Sequence, residues 1–296
     1  MPRPNSLLSR RDLLAGATLA AGAAALSPVA LAEETSSKDN GKKDVKAGRL
    51  RQSVCKWCFR DMSVDELAAA GKAMGLVAID LLTPDQFDAV KKHGLVCSMV
   101  SSHALSDGLC DPKHWDTALE KINAAVEATA REGWRNVICF SGNARGIDRK
   151  TGLKNCAEAL KKITPVAEKA NVILNMELLN SRVNHPDYMC DRSDWGIELC
   201  KEVGSDNFKL LYDIYHMQIM EGDIIRSIQD NHQFFGHYHT AGNPGRHELD
   251  DTQELFYPPI ARAIADIGFD GFFAHEFIPT REPLASLEAA AKLCMV

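Results

Sequence analysis

The sequence predicts an α/β protein whose eight strands close into a (β/α)8 barrel. Beyond Gly48, apolar strand-like runs alternate eight times with amphipathic helical segments. The runs are nearly continuous in apolar residues, which is typical of a parallel sheet covered by helices. No Gly-rich phosphate loop follows the first run, where Phe59-Arg-Asp-Met-Ser63 stands, so an open dinucleotide-binding sheet is disfavoured. We therefore expect one TIM barrel domain over residues 49–296, because such a barrel takes about 250 residues.

Turn and cap residues divide the chain into its predicted elements. Gly75 and Gly94 stand just before strand-like runs, where a left-handed residue ends the preceding helix at low cost. Ser63-Val-Asp-Glu66 is a capping box that predicts a helix start. The predicted strands are 50–59, 76–82, 95–101, 136–141, 172–178, 209–215, 234–240 and 271–278.

The N-terminal region has the features of a targeting signal. Ser9-Arg10-Arg11-Asp12-Leu13-Leu14 is a twin-arginine pattern, residues 15–26 are weakly apolar, and Ala30-Leu31-Ala32 fits a cleavage site. Residues 1–32 are therefore predicted to be a twin-arginine signal peptide that the Tat export machinery recognises. The lysine-rich residues 33–48 are predicted to be a disordered linker. The expected location is the periplasm, or otherwise outside the cytoplasm, with an N-terminal anchor or a cytosolic tail as alternatives.

The composition excludes some classes of function. The net charge of −6, with 25% charged residues, gives no sign of a nucleic-acid-binding surface. Beyond the signal region, nothing approaches the roughly 18 unbroken apolar residues that cross a bilayer, so we expect no stable membrane anchor.

The nine cysteines are predicted to be buried structural thiols. Cys97 and Cys139 lie in predicted strands, and Cys156 and Cys200 lie in predicted helices. Cys55-Lys-Trp-Cys58 resembles a redox pair, but positions i and i+3 of a strand point to opposite faces. The odd total also means that at least one cysteine has no intrachain partner.

Four successive strand-like runs end in a side chain that can bind a metal. These side chains are Glu177, Asp213, His239 and Glu276. The carboxyl ends of barrel strands meet at one rim, so the four side chains are expected to converge there. Three carboxylates packed together would repel each other without a cation. The donor set favours Mn²⁺, Mg²⁺ or Co²⁺, with Zn²⁺ as a further option.

The same rim carries residues that suit enolisation of a sugar or hydroxy-keto acid. A divalent cation that holds a hydroxyl and the neighbouring carbonyl would acidify the C–H bond between them and stabilise the ene-diolate. Glu177 and Glu276, on strands five and eight, could flank the substrate as an acid/base pair. His216 and Arg246 are predicted to hold substrate oxygens. His216 is three residues past Asp213, so strand parity would turn it away from the site, and it is expected to lie already in the loop. Further substrate-binding candidates are Asn180, Trp57 and His103.

Several segments together resemble the hydroxypyruvate isomerase group of the xylose isomerase-like barrels, which also include tagatose/psicose 3-epimerases. The segments are Glu177-Leu-Leu-Asn180, Tyr212-Asp-Ile-Tyr-His-Met-Gln218 with Met220-Glu-Gly-Asp223, Asn243-Pro-Gly-Arg246 and His275-Glu276. The resemblance implies a metal held by Glu177, Asp213, His239 and Glu276, with both glutamates as the acid/base pair. It implies isomerisation of hydroxypyruvate to tartronate semialdehyde, with His216 and Arg246 contacting the substrate.

The residues leave other functions open. Hydroxypyruvate isomerases commonly have Gln where this chain has His239, and the histidine is more like the ketose epimerases. The epimerases carry a further Glu where this chain has Val183. An exported epimerase or lyase on a ketose or keto-glycoside is therefore the main alternative. A metal-dependent endonuclease on the same barrel and a periplasmic sugar-binding protein are the others, and assembly into a homo-oligomer stays open.

Overall fold

The computed structural model describes residues 48–296. The predicted signal peptide (1–32) and almost all of the predicted linker (33–48) lie outside the described residues. The described chain contains one parallel sheet of eight strands. These are β1 (Arg51–Cys55), β2 (Ala78–Asp80), β3 (Val96–Cys97), β4 (Asn136–Cys139), β5 (Ile173–Glu177), β6 (Phe208–Asp213), β7 (Phe235–Thr240) and β8 (Phe272–His275).

The sheet closes into a barrel through Val100. The strands are ordered β3-β2-β1-β8-β7-β6-β5-β4, so closure requires a link between β3 and β4. The Val100 N–H donates to the Asn136 carbonyl at 2.9 Å, and the Ile138 N–H donates to the Val100 carbonyl at 3.0 Å. These bonds form an isolated parallel bridge between Val100 and Val137. The predicted (β/α)8 TIM barrel is confirmed.

Helices cover the outer face of the sheet. In residues 48–296 they are α1 (Val64–Ala73), α2 (Phe87–Lys91), α3 (Trp115–Arg131), α4 (Arg149–Ala170), α5 (Ser193–Val203), α6 (Ile214–Met220), α7 (Ile224–Asn231), α8 (Tyr257–Asp266) and α9 (Pro283–Leu293). The predicted capping box is present at α1, where the Glu66 N–H donates to Ser63 Oγ at 3.2 Å. Across the described residues, none of the helices combines the length and the apolar character needed to cross a membrane.

Seven of the eight predicted strands were too long at their carboxyl ends, whereas β7 ends at Thr240 as predicted. β1 ends at Cys55 and continues as a 3₁₀ helix over Lys56–Cys58. β6 ends at Asp213, where the backbone turns into α6 because the Asp213 side chain accepts a hydrogen bond from the His216 N–H at 3.1 Å. Apolar residues continue past both ends, so the pattern alone did not reveal the turns. Because β1 and β6 end early, the residues that follow them lie across the rim of the barrel.

The apolar core lies mainly between the sheet and the helices. A separate small cluster consists of Met99, Ile138 and Leu211. Leu211 shares the inner face of β6 with Asp213, two residues further on, so this cluster fills the barrel interior beneath the rim. The ligand candidates therefore rest on a packed interior and not on an open channel.

All nine cysteines are buried and form no disulfide. The prediction of buried thiols is confirmed, with Cys97 in β3, Cys139 in β4, Cys156 in α4 and Cys200 in α5. The Cys55-x-x-Cys58 segment differs from its predicted form, because Cys58 lies in the 3₁₀ helix after β1.

We expect none of the nine thiols of the folded protein to react readily with Ellman's reagent. Each side chain is buried, and burial raises the pKa of Cys200 to about 12 and that of Cys110 to about 11, so little thiolate exists at pH 8. Denaturation in guanidinium should make all nine thiols accessible to the reagent. Rapid titration of one or more thiols without denaturant would contradict this packing.

Glu248 joins the loop after β7 to α9 and to the segment before it. Its carboxylate accepts hydrogen bonds from the Thr280 N–H at 2.9 Å, Thr280 Oγ at 2.8 Å and Ser286 Oγ at 3.0 Å. Burial opposes ionisation of Glu248, but these hydrogen bonds outweigh burial and lower its pKa to about 2. The Glu248 carboxylate therefore stabilises the folded state as the anion.

The Glu248→Gln variant is expected to lose about 1–3 kcal/mol of unfolding free energy at pH 7. The pKa of Glu248 is depressed in the fold, so its contribution is complete above its ordinary pKa of 4.5 and disappears as the pH falls towards about 2. Urea unfolding at pH 7 and pH 3 measures this difference between the wild-type protein and the variant. Glu288→Gln, an exposed residue of α9 paired with Lys292, is the control and should change stability by no more than about 0.5 kcal/mol.

Candidate metal and active site

The four predicted ligands converge at the carboxyl-terminal rim of the barrel. Glu177 ends β5, Asp213 ends β6, His239 lies near the end of β7, and Glu276 directly follows β8. Each offers one donor atom, and these four atoms lie within 4.8 Å of one another. All four residues are buried. Parallel pairing produces this convergence, because equivalent ends of neighbouring strands share one edge.

The cluster carries more negative charge than its protein partners can balance. His239 Nδ1 lies 2.8 Å from Glu276 Oε2 and 3.4 Å from Glu177 Oε1. Arg246 Nη2 lies 2.5 Å from Glu276 Oε2 and 3.5 Å from Asp213 Oδ2. Glu177 Oε1 is buried without a hydrogen-bond partner. One guanidinium and one imidazole therefore face three carboxylates.

The pKa shifts follow from this imbalance. Burial raises the pKa of Glu177, and Glu276 adds to the increase. Burial also raises the pKa of Asp213 to about 8, since its attraction to Arg246 does not offset the loss of solvent. For Glu276, Arg246 and His239 outweigh burial and hold the pKa well below its usual range. Three ionised carboxylates at neutral pH thus require a further positive charge.

These residues fit a divalent cation. Three carboxylates and one imidazole supply oxygen and nitrogen donors of the kind that Mn²⁺, Mg²⁺, Co²⁺ and Zn²⁺ accept. A cation at this position would satisfy the unpartnered Glu177 Oε1 and the excess negative charge together. By donor chemistry and charge balance, the residues at the predicted position could therefore hold a metal ion.

Trp57 and Arg246 form one wall of the site. Trp57, in the 3₁₀ helix after β1, donates its indole N–H to Glu276 Oε1 at 2.6 Å. The Arg246 guanidinium carbon lies 5.0 Å from the centroid of the Trp57 ring and 5.5 Å from that of Tyr215. The two aromatic rings hold the planar guanidinium so that its N–H groups point at the carboxylates. The rim placement predicted for Trp57 and Arg246 is observed.

His216 lies in α6 and not in a loop as predicted. Its Nδ1 accepts a hydrogen bond from the Asn180 backbone N–H at 3.1 Å, so in the neutral ring Nε2 carries the proton. Burial lowers the pKa of His216 well below its usual range, which keeps the ring neutral. His216 Nε2 is buried without a hydrogen-bond partner, 3.6 Å from Asp213 Oδ2. His216 therefore presents an unused N–H donor beside the ligand cluster.

Two other predicted substrate contacts are engaged by the protein itself. The Asn180 side-chain oxygen accepts the backbone N–H groups of Val183 and Asn184, both at 2.9 Å, so Asn180 orders its loop and orients His216. His103 Nε2 accepts the Phe140 N–H at 3.0 Å, while its Nδ1 lies 3.1 Å from the Ala104 carbonyl oxygen. These bonds leave neither ring nitrogen of His103 free for a substrate.

The sequence reasoning missed Asp80. This residue ends β2 at the same rim, is fully buried, and lies 2.8 Å from His239 Nε2 through its Oδ2 atom. His237 and Cys55 also lie close to it, with His237 Nε2 at 3.4 Å and Cys55 Sγ at 3.4 Å. The sequence does contain a feature that marks Asp80, because it is a charged residue inside an apolar run. The predicted strand continued past it to residue 82, which concealed its position at a strand end.

A family model described as the xylose isomerase-like TIM barrel matches residues 79–294. This match begins within β2, runs past the end of α9 and includes the four predicted metal ligands. It covers more than half of the chain, and β1 and Trp57 lie before it.

Individual relatives agree with this match. A 2-oxo-tetronate isomerase from Cupriavidus necator is 37% identical over 139 residues, which cover 47% of this chain and 51% of the relative. The chain thus spans about half the length of that relative. The hydroxypyruvate isomerase of Escherichia coli K12 is 24% identical over 238 residues, which cover 75% of this chain and 92% of the relative.

A solved structure shows the same fold. The structure of an AP endonuclease, family 2, from Brucella melitensis superposes with a TM-score of 0.72 at 23% identity, covering 81% of this chain and 96% of the other. At that identity the likeness concerns the barrel and not the chemistry. From the extent of the family match and the barrel that carries it, we conclude that the chain belongs to the xylose isomerase-like TIM barrel family.

Proposed function

We propose that the protein is a metal-dependent isomerase of small hydroxy-keto acids, with the conversion of hydroxypyruvate to tartronate semialdehyde as the first candidate reaction. The observation that carries the proposal is the convergence of Glu177, Asp213, His239 and Glu276 within 4.8 Å. The relatives named hydroxypyruvate isomerase and 2-oxo-tetronate isomerase support this substrate class.

The four ligand residues would hold the cation, with Mn²⁺, Mg²⁺ or Co²⁺ preferred. When bound, the cation would polarise the adjacent hydroxyl and carbonyl oxygens of the substrate and so acidify the C–H bond between them. The burial of all four side chains excludes water from this part of the rim, which strengthens every electrostatic contact within it.

Glu177 and Glu276 are proposed to move the proton. They lie on β5 and directly after β8, with β6 and β7 between them, so their carboxylates approach the centre from two sides. One carboxylate removes a proton from the hydroxyl-bearing C3 of hydroxypyruvate, and a proton is returned to C2. The hydroxyl proton passes from the C3 oxygen to the C2 oxygen, so the reaction is balanced without a redox partner.

His216 and Arg246 are proposed to bind the substrate. The unused His216 Nε2–H is a donor for an oxygen on which negative charge develops. Arg246, held between Trp57 and Tyr215, can pair with the substrate carboxylate through its planar guanidinium. Because Arg246 pairs best with a carboxylate, it favours a keto acid over an uncharged ketose as the substrate.

Incubation of the Mn²⁺-loaded protein in D₂O tests the proposal. The compounds are hydroxypyruvate, 2-oxo-tetronate, ketoses and keto-glycosides, and NMR identifies the carbon that acquires deuterium. We expect deuterium at C2 of tartronate semialdehyde formed from hydroxypyruvate. Binding of a compound without any hydrogen exchange across the whole panel would point to a sugar-binding protein and refute the isomerase.

An epimerase acting on a ketose or keto-glycoside is the second candidate. The observation that favours it is His239 in the ligand set, where hydroxypyruvate isomerases commonly have glutamine. The same experiment separates the two reactions. An epimerase would place deuterium on the carbon that loses its proton and invert its configuration, whereas the isomerase transfers the carbonyl to the neighbouring carbon.

Export by the twin-arginine route is a further part of the proposal. It rests on Ser9-Arg10-Arg11-Asp12-Leu13-Leu14 and on Ala30-Leu31-Ala32, which lie outside the described residues. A fusion of residues 1–48 to a reporter that is active only outside the cytoplasm should report export. Replacement of both Arg10 and Arg11 by lysine should abolish the signal, and an unchanged signal would contradict this route.

A further inference from the structure

Asp80 is a buried carboxylate that the proposed reaction does not use. It lies at the end of β2 and contributes no measurable surface. Ser98 Oγ donates to Asp80 Oδ1, and Cys55 Sγ donates to Asp80 Oδ2 at 3.4 Å. Both oxygens of Asp80 thus accept hydrogen bonds from the barrel wall, and the side chain is fully buried.

His239 connects Asp80 to the ligand cluster. Its Nδ1 faces Glu276 Oε2 at 2.8 Å and Glu177 Oε1 at 3.4 Å, while its Nε2 lies 2.8 Å from Asp80 Oδ2. Each ring nitrogen therefore faces a carboxylate, Nδ1 those of the predicted ligands Glu276 and Glu177 and Nε2 that of Asp80. An imidazole that binds a metal must offer an unprotonated nitrogen, and the partner of the other nitrogen decides which one that is.

We propose that Asp80 is a positioning residue that holds the Nε2 proton of His239 and thereby directs the Nδ1 lone pair at the cation. The inference rests on the proposed metal-dependent function and extends the site from four strands to five. The buried carboxylate fixes both the rotation of the His239 ring and its tautomer. Carboxylates that orient a metal-binding histidine in this way strengthen metal binding without touching the metal.

A second ion is the competing explanation for the same atoms. Asp80, His237 and His239 offer three donor atoms within 4.8 Å of one another, and both ring nitrogens of His237 are buried without a hydrogen-bond partner. An ion at that position would displace the Nε2 proton of His239. The two explanations therefore differ in the number of ions bound per chain.

Metal binding by the full-length Asp80→Asn variant is the first test. Isothermal titration with Mn²⁺ should find one ion per chain in the wild-type protein and in the variant, with the affinity of the variant weaker by about 10–100-fold. Ser98→Ala, which removes one donor to Asp80 and keeps its charge, is the matched control and should change affinity less than the Asn variant. Circular dichroism establishes that each protein is folded.

The outcomes separate this inference from the proposed function. A wild-type protein that binds no divalent cation would overturn both. Tight wild-type binding with an unchanged affinity in folded Asp80→Asn would overturn only the role of Asp80. Two ions per chain, one of which is lost in Asp80→Asn, would replace the inference with a second metal site.

The second test uses the wild-type protein, so it does not depend on how the variant folds. Histidine labelled with ¹⁵N, in protein loaded with diamagnetic Zn²⁺, reports which ring nitrogen carries a proton. We expect His239 to be protonated at Nε2 and to bind Zn²⁺ through Nδ1, with His239→Gln identifying the signal. Metal bound through Nε2 would overturn the inference.

Discussion

Glutamine in place of either Glu177 or Glu276 is expected to lower kcat by about 10²–10⁴-fold, the usual contribution of a positioned acid or base. Both carboxylates lie in the buried cluster and approach its centre from different strands. The carboxamide keeps the shape of the side chain but cannot accept or return a proton. Steady-state rates on the substrate identified by hydrogen exchange measure the loss.

The metal-free stabilities of these two variants should change in opposite directions. Burial raises the pKa of Glu177, so its ionised form costs stability at pH 7, and Glu177→Gln should unfold at an equal or higher temperature. The pKa of Glu276 is held low by Arg246 and His239, so Glu276→Gln leaves those partners without their anion and should unfold at a lower temperature.

Controls distinguish lost proton transfer from lost metal. Glu254→Gln, an exposed carboxylate bonded to Asn243 and Gln218 near the same rim, should retain wild-type activity. Metal content measured by plasma emission shows whether each variant is loaded, and rates are compared at saturating Mn²⁺. Activity within threefold of wild type in both loaded glutamine variants would exclude them as the acid/base pair.

The convergence of the ligands could be predicted because it follows from local rules. Alternation along each run identifies the face of Glu177, Asp213 and Glu276, and parallel strands place equivalent ends at one rim. No contact between distant segments had to be known. His239 lies near the end of β7 in the same way. The four residues, which span 100 positions of the sequence, could therefore be predicted to converge.

The orientation of the surrounding residues could not be predicted in this way. Arg246 reaches Glu276 from a loop after β7, and Asp80 meets His239 across 159 positions of sequence. Such contacts depend on loop paths and on the stagger of the barrel, which no local pattern encodes. His216 was placed in a loop because strand parity excluded it, whereas the Asp213 cap starts a helix there.

Removal of divalent cations is expected to abolish turnover and to destabilise the barrel. Without a cation, Arg246 and His239 must offset the charge of three buried carboxylates, and burial raises the pKa values of two of them, Asp213 and Glu177. Mn²⁺ at 100 times its dissociation constant should add about 2.7 kcal/mol to the free energy of unfolding. For a barrel of this size, that corresponds to a rise of about 5–10 °C in Tm. Calorimetry before and after dialysis against EDTA measures the change, and NaCl at equal ionic strength is the control.

Metal binding is expected to weaken as the pH falls. In the metal-free site the pKa of Asp213 is raised to about 8, and that of Glu177 is raised as well, so protons occupy the site below that pH. A cation must displace these protons. Its apparent affinity should therefore fall by about tenfold for each unit by which the pH is lowered, for each proton displaced. Titrations with Mn²⁺ between pH 6 and pH 8 test this slope. Full activity in protein that retains less than about 0.1 ion per chain would contradict the metal requirement, because the buried carboxylates would then have to act with Arg246 and His239 and no cation.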